Sequence, residues 1–174
     1  MLFRSPFDLE TTRPAQHFLE VIYVFDWLRQ HYPDSRIIVM GVSYGGFMAT
    51  QLTKYRSFEK LVLRAPTIYK PATFYNLNVA VKSPEAMAAG MAFKKDAEAL
   101  AKHPLLARAS NFKGQTLVIV HEQDERVPSE TTDAHIHAFG AETYVAKGFP
   151  HSFSGVPADK IADYEKTLST WLLK

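Results

Sequence analysis

The sequence predicts an α/β fold, a mostly parallel sheet with flanking helices, as a single domain over residues 1–174. Two observations carry this. Short, continuously apolar, β-branched runs alternate along the chain with segments of helical period, the pattern of a parallel sheet built from strand–helix units. The composition, 47% hydrophobic and 22% charged, is that of a globular chain with one core.

The elements follow in order. Residues 12–32 repeat apolar side chains at helical spacing (Phe18, Val21, Ile22, Val24, Phe25, Leu28), with Pro14 suited to a first turn and Pro33-Asp34 as a stop. Residues 36–41 read as a strand buried on both faces. A helix resumes over residues 45–55, and a second strand covers 58–64, with Leu61-Val62-Leu63 at its centre. A third strand spans 115–121, followed by a helix at about 129–139, a short fourth strand at 143–146 and an amphipathic helix over 157–173. Residues 67–113 break the rhythm and are too long for an ordinary connection, so they are expected to hold inserted helices.

Bulk properties exclude several functions. A formal charge of +2 gives no footing for nucleic acid as the main partner. The absence of cysteine removes disulfides, thiolate metal sites and a cysteine nucleophile. No apolar run approaches the length of a membrane span, and no signal peptide is visible, so the expectation is a cytoplasmic protein.

The informative motif is Gly41-Val42-Ser43-Tyr44-Gly45, between a strand and a helix. This is the setting of a nucleophile elbow, whose tight turn lifts a serine hydroxyl out at the carboxyl end of a sheet. Side chains two residues either side of Ser43 would collide, hence glycine at 41 and 45. The Tyr44 backbone N–H opens the next helix and faces the place where an oxyanion develops. A serine hydroxyl needs a base, and the base an orienting acid. Asp124 follows the third strand and His151 the fourth, so three strand ends bring Ser, Asp and His to one rim. Glu122 and Glu125 are not at the matching place for the acid. Among the other histidines, His17 and His31 flank a helix and read as solvated. His103 reads as a loop residue, and His135 and His137 do not share a helix face and make a poor metal pair. No metal or cofactor motif appears. The aromatics Tyr69, Phe74 and Tyr75, with Met87 and Met91, are candidates for lining a substrate pocket, core packing being the competing reading.

With these residues in view, the chain resembles the α/β-hydrolase superfamily. The matching stretches are Gly41-Val42-Ser43-Tyr44-Gly45-Gly46, Asp124-Glu125-Arg126-Val127-Pro128 and Gly148-Phe149-Pro150-His151. The run from Gly41 through Phe47-Met48-Ala49 is similar to prolyl-oligopeptidase-like enzymes in particular. The resemblance implies a cofactor-free serine esterase acting on a small-molecule ester through an acyl-enzyme, with residues 67–113 as a cap. Its alternatives are a peptidase and a catalytically silent remnant that acts in binding or assembly. Family members carry further strands ahead of the first helix, and a loop there supplies a second oxyanion donor. The expectation is therefore a truncated or minimal α/β-hydrolase fold, whose exposed sheet edge pairs with a second copy in a homo-oligomer.

Overall fold

The computed structural model describes residues 13–76 and 83–174. Four strands form one sheet in the order β1-β2-β3-β4, every neighbouring pair parallel. They are β1 (Ile38–Val42), β2 (Lys60–Arg64), β3 (Gln115–Gln123) and β4 (Glu142–Pro150). Parallel strands require crossovers, and helices supply them. Helix α1 (Pro14–His31) precedes β1, α2 (Tyr44–Leu52) joins β1 to β2, and α6 (Ser129–Phe139) joins β3 to β4. The last helix, α7, spans Ala158–Leu173. Between β2 and β3 lie α3 (Thr73–Asn76), α4 (Pro84–Lys95), α5 (Ala97–Ala101) and a 3-10 turn (Leu106–Asn111). Helical caps set two of these: Ser83 Oγ accepts the Ala86 N–H ahead of Pro84, and Asp96 Oδ1 accepts the Ala99 N–H.

Side chains alternate across each strand, and the two faces bury separate clusters. Phe18 and Phe25 of α1, with Phe47 and Leu52 of α2, pack on Leu61, Leu63 and Val118. On the opposite face Val62, Leu117, Ile119 and Ala146 meet Tyr164 and Trp171 of α7. Lys60 is 1% exposed on that second face, and its ammonium donates to the Trp171 and Leu172 carbonyls at 2.8 and 3.1 Å. A buried charge is tolerable only when fully hydrogen-bonded, and here it caps carbonyls that a helix end leaves without partners. The ammonium also lies 4.8 Å from the Trp171 ring centre.

Three expectations need correction. β1 is not buried on both faces: it is the edge strand among the described residues, with Ile38 and Met40 38% and 45% exposed. These two are in register with Lys60 and Val62, so they share the face that α7 covers further along the sheet but not at β1. Second, β4 runs on to Pro150, well past residue 146. Its outer positions are exposed, so the apolar signal lapses before the strand does. Third, His17 is buried rather than solvated. Residue 12 of the expected first helix and the link at 77–82 lie outside the described residues.

Candidate active site

β1 delivers Ser43 at its carboxyl end, where φ is +50°, a region a serine occupies only under constraint. The constraint is a set of backbone bonds from β2 and its exit. The Ser43 N–H donates to the Arg64 carbonyl at 3.0 Å, and the Ser43 carbonyl accepts from Thr67 N–H at 3.1 Å. Between them Ala65 also has positive φ, +43°, with its N–H bound to the Ile119 carbonyl. The strained turn is thus held by a second strained turn, a feature that a buried Ala-Pro pair does not advertise in sequence.

The glycine requirement falls differently from expectation. A Cβ on Gly41 would lie 2.7 Å from the Gly46 Cα, and one on Gly46 would lie 2.9 Å from the Pro66 Cα. A Cβ on Gly45 meets nothing within 4 Å. The tight positions are 41 and 46.

β3 and β4 bring the other two residues. His151 Nε2 stands 3.0 Å from Ser43 Oγ, and His151 Nδ1 stands 2.8 and 3.0 Å from Asp124 Oδ2 and Oδ1. A carboxylate only accepts, so Nδ1 carries the proton of this bond, and in the neutral ring Nε2 is free to accept from the serine. The Asp124 side chain is 6% exposed and that of His151 11%. Asp124 Oδ1 also accepts the Arg126 and Val127 N–H groups, each at 2.8 Å, which fixes the carboxylate and forms the turn before Pro128. Tyr44 is the first residue of α2, and the N–H groups of a first turn have no intrahelical acceptor.

β4 reaches Asp124 through an irregularity in its pairing with β3. His121 pairs with Ala146 and Gln123 with Pro150, so β4 spends extra residues opposite Glu122. Gly148, at φ +76°, sits in this bulge, and its N–H donates to Glu122 Oε2 at 2.8 Å. Glu125 Oε2 accepts the His151 N–H at 3.1 Å, which holds the Glu125 carboxyl below its ordinary value. The buried His121 donates from Nδ1 to the Pro150 carbonyl at 2.6 Å. Nothing in the sequence marks these roles, Glu122 and Glu125 being weighed there only as the acid, because a side chain reaching another loop's backbone leaves no spacing signature.

The remaining candidates are placed as follows. Tyr44 OH and His17 Nδ1 are 2.7 Å apart, and burial lowers the His17 pKa despite the nearby Glu20 carboxylate. Tyr69 packs edge-on to Tyr44 and Phe47, and Phe74 edge-on to Phe18 and Phe47. Tyr75 touches Phe74 but is 63% exposed, and Met87 is similarly open. His103 is buried and bonds the Tyr69 carbonyl, a role inside the fold. His31 is exposed and stacks on Trp27. A cleft of about 680 Å³ opens at the other end of the sheet, among Arg36, Phe58, Lys113 and Gln115, and does not touch Ser43, Asp124 or His151. No helix of the described residues is long and apolar enough to cross a membrane.

Comparisons place this geometry among known folds. The chain superposes on an alpha-beta serine hydrolase homologue from Coxiella burnetii with TM-score 0.59 and 18% identity, covering 95% of this chain and 61% of that one. It superposes on an acylaminoacyl peptidase from Pyrococcus horikoshii with TM-score 0.58 and 23% identity, covering 92% of this chain and 27% of the peptidase. The chain therefore spans about three fifths of the first relative and about a quarter of the second. No curated protein matches it. The profile of the uncharacterised protein family UPF0227 matches residues 7–164. A four-stranded parallel sheet with flanking helices and these likenesses establish the fold of the described residues as an α/β-hydrolase fold, and the chain belongs to the uncharacterised protein family UPF0227.

Proposed function

We propose that the chain is a serine hydrolase that cleaves a small carboxylic ester through an acyl-enzyme. One observation carries this reading: the unbroken contact from Ser43 Oγ through the His151 ring to Asp124, with the serine at positive φ. Ser43 Oγ attacks the acyl carbon while its proton passes to His151 Nε2, and the carbonyl electron pair moves onto oxygen. The Tyr44 N–H faces that oxyanion. Collapse expels the alcohol, which takes the proton from Nε2 and leaves Ser43 acylated. A water molecule then gives its proton to Nε2 and attacks the ester carbon, and collapse returns the serine hydroxyl and releases the acid. Asp124 remains ionised throughout and stabilises the imidazolium.

The test is the intact mass of the protein after fluorophosphonate treatment, beside Ser43→Ala. A single adduct that disappears in the variant supports the reading, and its absence from folded protein overturns it. A peptidase is the second reading, favoured by the likeness to the acylaminoacyl peptidase. Faster turnover of aminoacyl amides than of matched simple esters would favour it. We further propose that Tyr69 and Phe74 bound the acyl side of the site and that Tyr75 lies at its mouth, with residues 67–113 acting as a cap. The edge of β1, outermost in the sheet among the described residues, is proposed to pair with a second copy of the chain.

A further inference from the structure

Asp124 and His151 come from different loops, and one side-chain contact between them does not by itself fix where the imidazole points. The structure adds a second set of contacts around that one. His121, in β3 three residues before Asp124, has its ring against both Phe149, in T-shaped contact, and Phe153, in near-parallel stacking, at 5.7 and 6.0 Å. Its Nδ1 lies 2.6 Å from the carbonyl of Pro150, the residue directly before His151. A carbonyl only accepts, so Nδ1 bears the proton, and in the neutral ring Nε2 is then unprotonated. Burial, the largest influence on this ring, favours that neutral form. Nε2 itself is buried without a hydrogen-bond partner among the described residues. An unsatisfied buried nitrogen is costly, and an apolar residue at this position would avoid the cost. The donor at Nδ1 is what the imidazole provides in return. Directly after Asp124, Glu125 holds the other polar group of that same Pro150–His151 peptide unit, the His151 N–H.

We propose that His121 and Glu125 are positioning residues that together hold the Pro150–His151 peptide unit by its carbonyl and its N–H, and so aim the His151 imidazole between Asp124 and Ser43. The proposal deepens the hydrolase reading and rests on it for the catalytic consequence. It assigns a division of labour across the β4 bulge. Glu122 holds the bulge itself at Gly148, His121 fixes the carbonyl that enters the histidine, and Glu125 fixes the histidine's own N–H. Displacing a reacting group by about 1 Å costs about a hundredfold in rate, so modest slack in these bonds is enough to matter.

The test pairs each deletion with a variant that keeps the hydrogen bond. His121→Leu removes the donor at similar volume, whereas the amide of His121→Asn presents an N–H at about the reach of Nδ1. Glu125→Ala removes the acceptor, whereas Glu125→Gln keeps one. Two readouts are used on folded protein: the fluorophosphonate labelling rate at Ser43, and the downfield proton NMR signal of His151 Nδ1–H, assigned by its loss in His151→Gln. His121→Leu is expected to label ~10- to 100-fold more slowly, with the KM for an ester substrate unchanged and the downfield signal shifted or lost. His121→Asn is expected to recover most of both. Glu125→Ala is expected to slow labelling severalfold and Glu125→Gln to restore it, and this exposed pair carries the test if His121→Leu does not fold. Wild-type labelling rates and an unmoved downfield signal in the two deletion variants would overturn the proposal. If the wild type itself does not label but its downfield signal still separates each deletion from its partner, the positioning role stands and only the hydrolase reading falls.

Discussion

At Gly41 the fold leaves no room for a side chain, because the backbone of Gly45 and Gly46 closes over it. Gly45, inside the same motif, faces open space and opens no unusual φ. The two glycines therefore respond oppositely to the same substitution. Gly41→Ala is expected to abolish fluorophosphonate labelling and lower the melting temperature. Gly45→Ala is expected to keep labelling and to gain up to ~1 kcal/mol in chemical denaturation from the better helix former in the first turn of α2. Asp124→Asn is expected to leave the fold intact and reduce ester turnover by ~10⁴-fold, since an amide no longer enforces the Nδ1–H tautomer. Steady-state kinetics beside a thermal melt decide it. The three residues of the proposed relay were legible because each lies at the exit of an apolar strand, and chain order then puts them on one rim. His121, Glu122 and Glu125 were not, since what they bind is the backbone of a distant loop. His17 was misread for a related reason. It belongs to a helix whose solvent face is defined only once Tyr44 packs beside it, with the ring centres 5.7 Å apart.

Elements show the same division. Helix α6 falls where its pattern predicts, Ser129–Phe139, because its stop is local: Gly140 at φ +56° ends it in the left-handed conformation. Strand β1 was legible as a strand but not as an edge, since its apolar sequence does not say which faces are covered. Lys60 was read merely as part of an apolar run, yet it is the residue that ties β2 to the end of α7. Lys60→Met keeps most of the volume and removes both bonds. It is expected to cost ~2 kcal/mol in urea unfolding, a charged hydrogen bond being lost from two helix-end carbonyls. The same change at an exposed lysine such as Lys113 is expected to be silent within ~0.5 kcal/mol.

For the molecule as a whole, acid is the expected weakness. Burial lowers the pKa of His17, His103, His121 and His135, the last to about 4 from 6.5. A histidine depressed in the fold binds its proton more readily when unfolded, so stability rises with pH between the two values. For His135 that window runs from about 4 to 6.5. The melting temperature is therefore expected to hold above pH 7 and to fall steadily as pH drops through 6.5 towards 4. A flat profile across that range would contradict the neutral burial of these rings. The outer flank of β1, which has no neighbouring strand among the described residues, sets the second expectation at this scale. Unpaired strand edges recruit other strands, so sedimentation is expected to show reversible dimers, reduced by Met40→Lys with the melting temperature little changed. The sealed amine of Lys60 gives the molecule a built-in clock. An acylating reagent reaches it only when α7 lifts from the sheet, so its modification rate, set against that of surface lysines, counts how often the last helix comes undone.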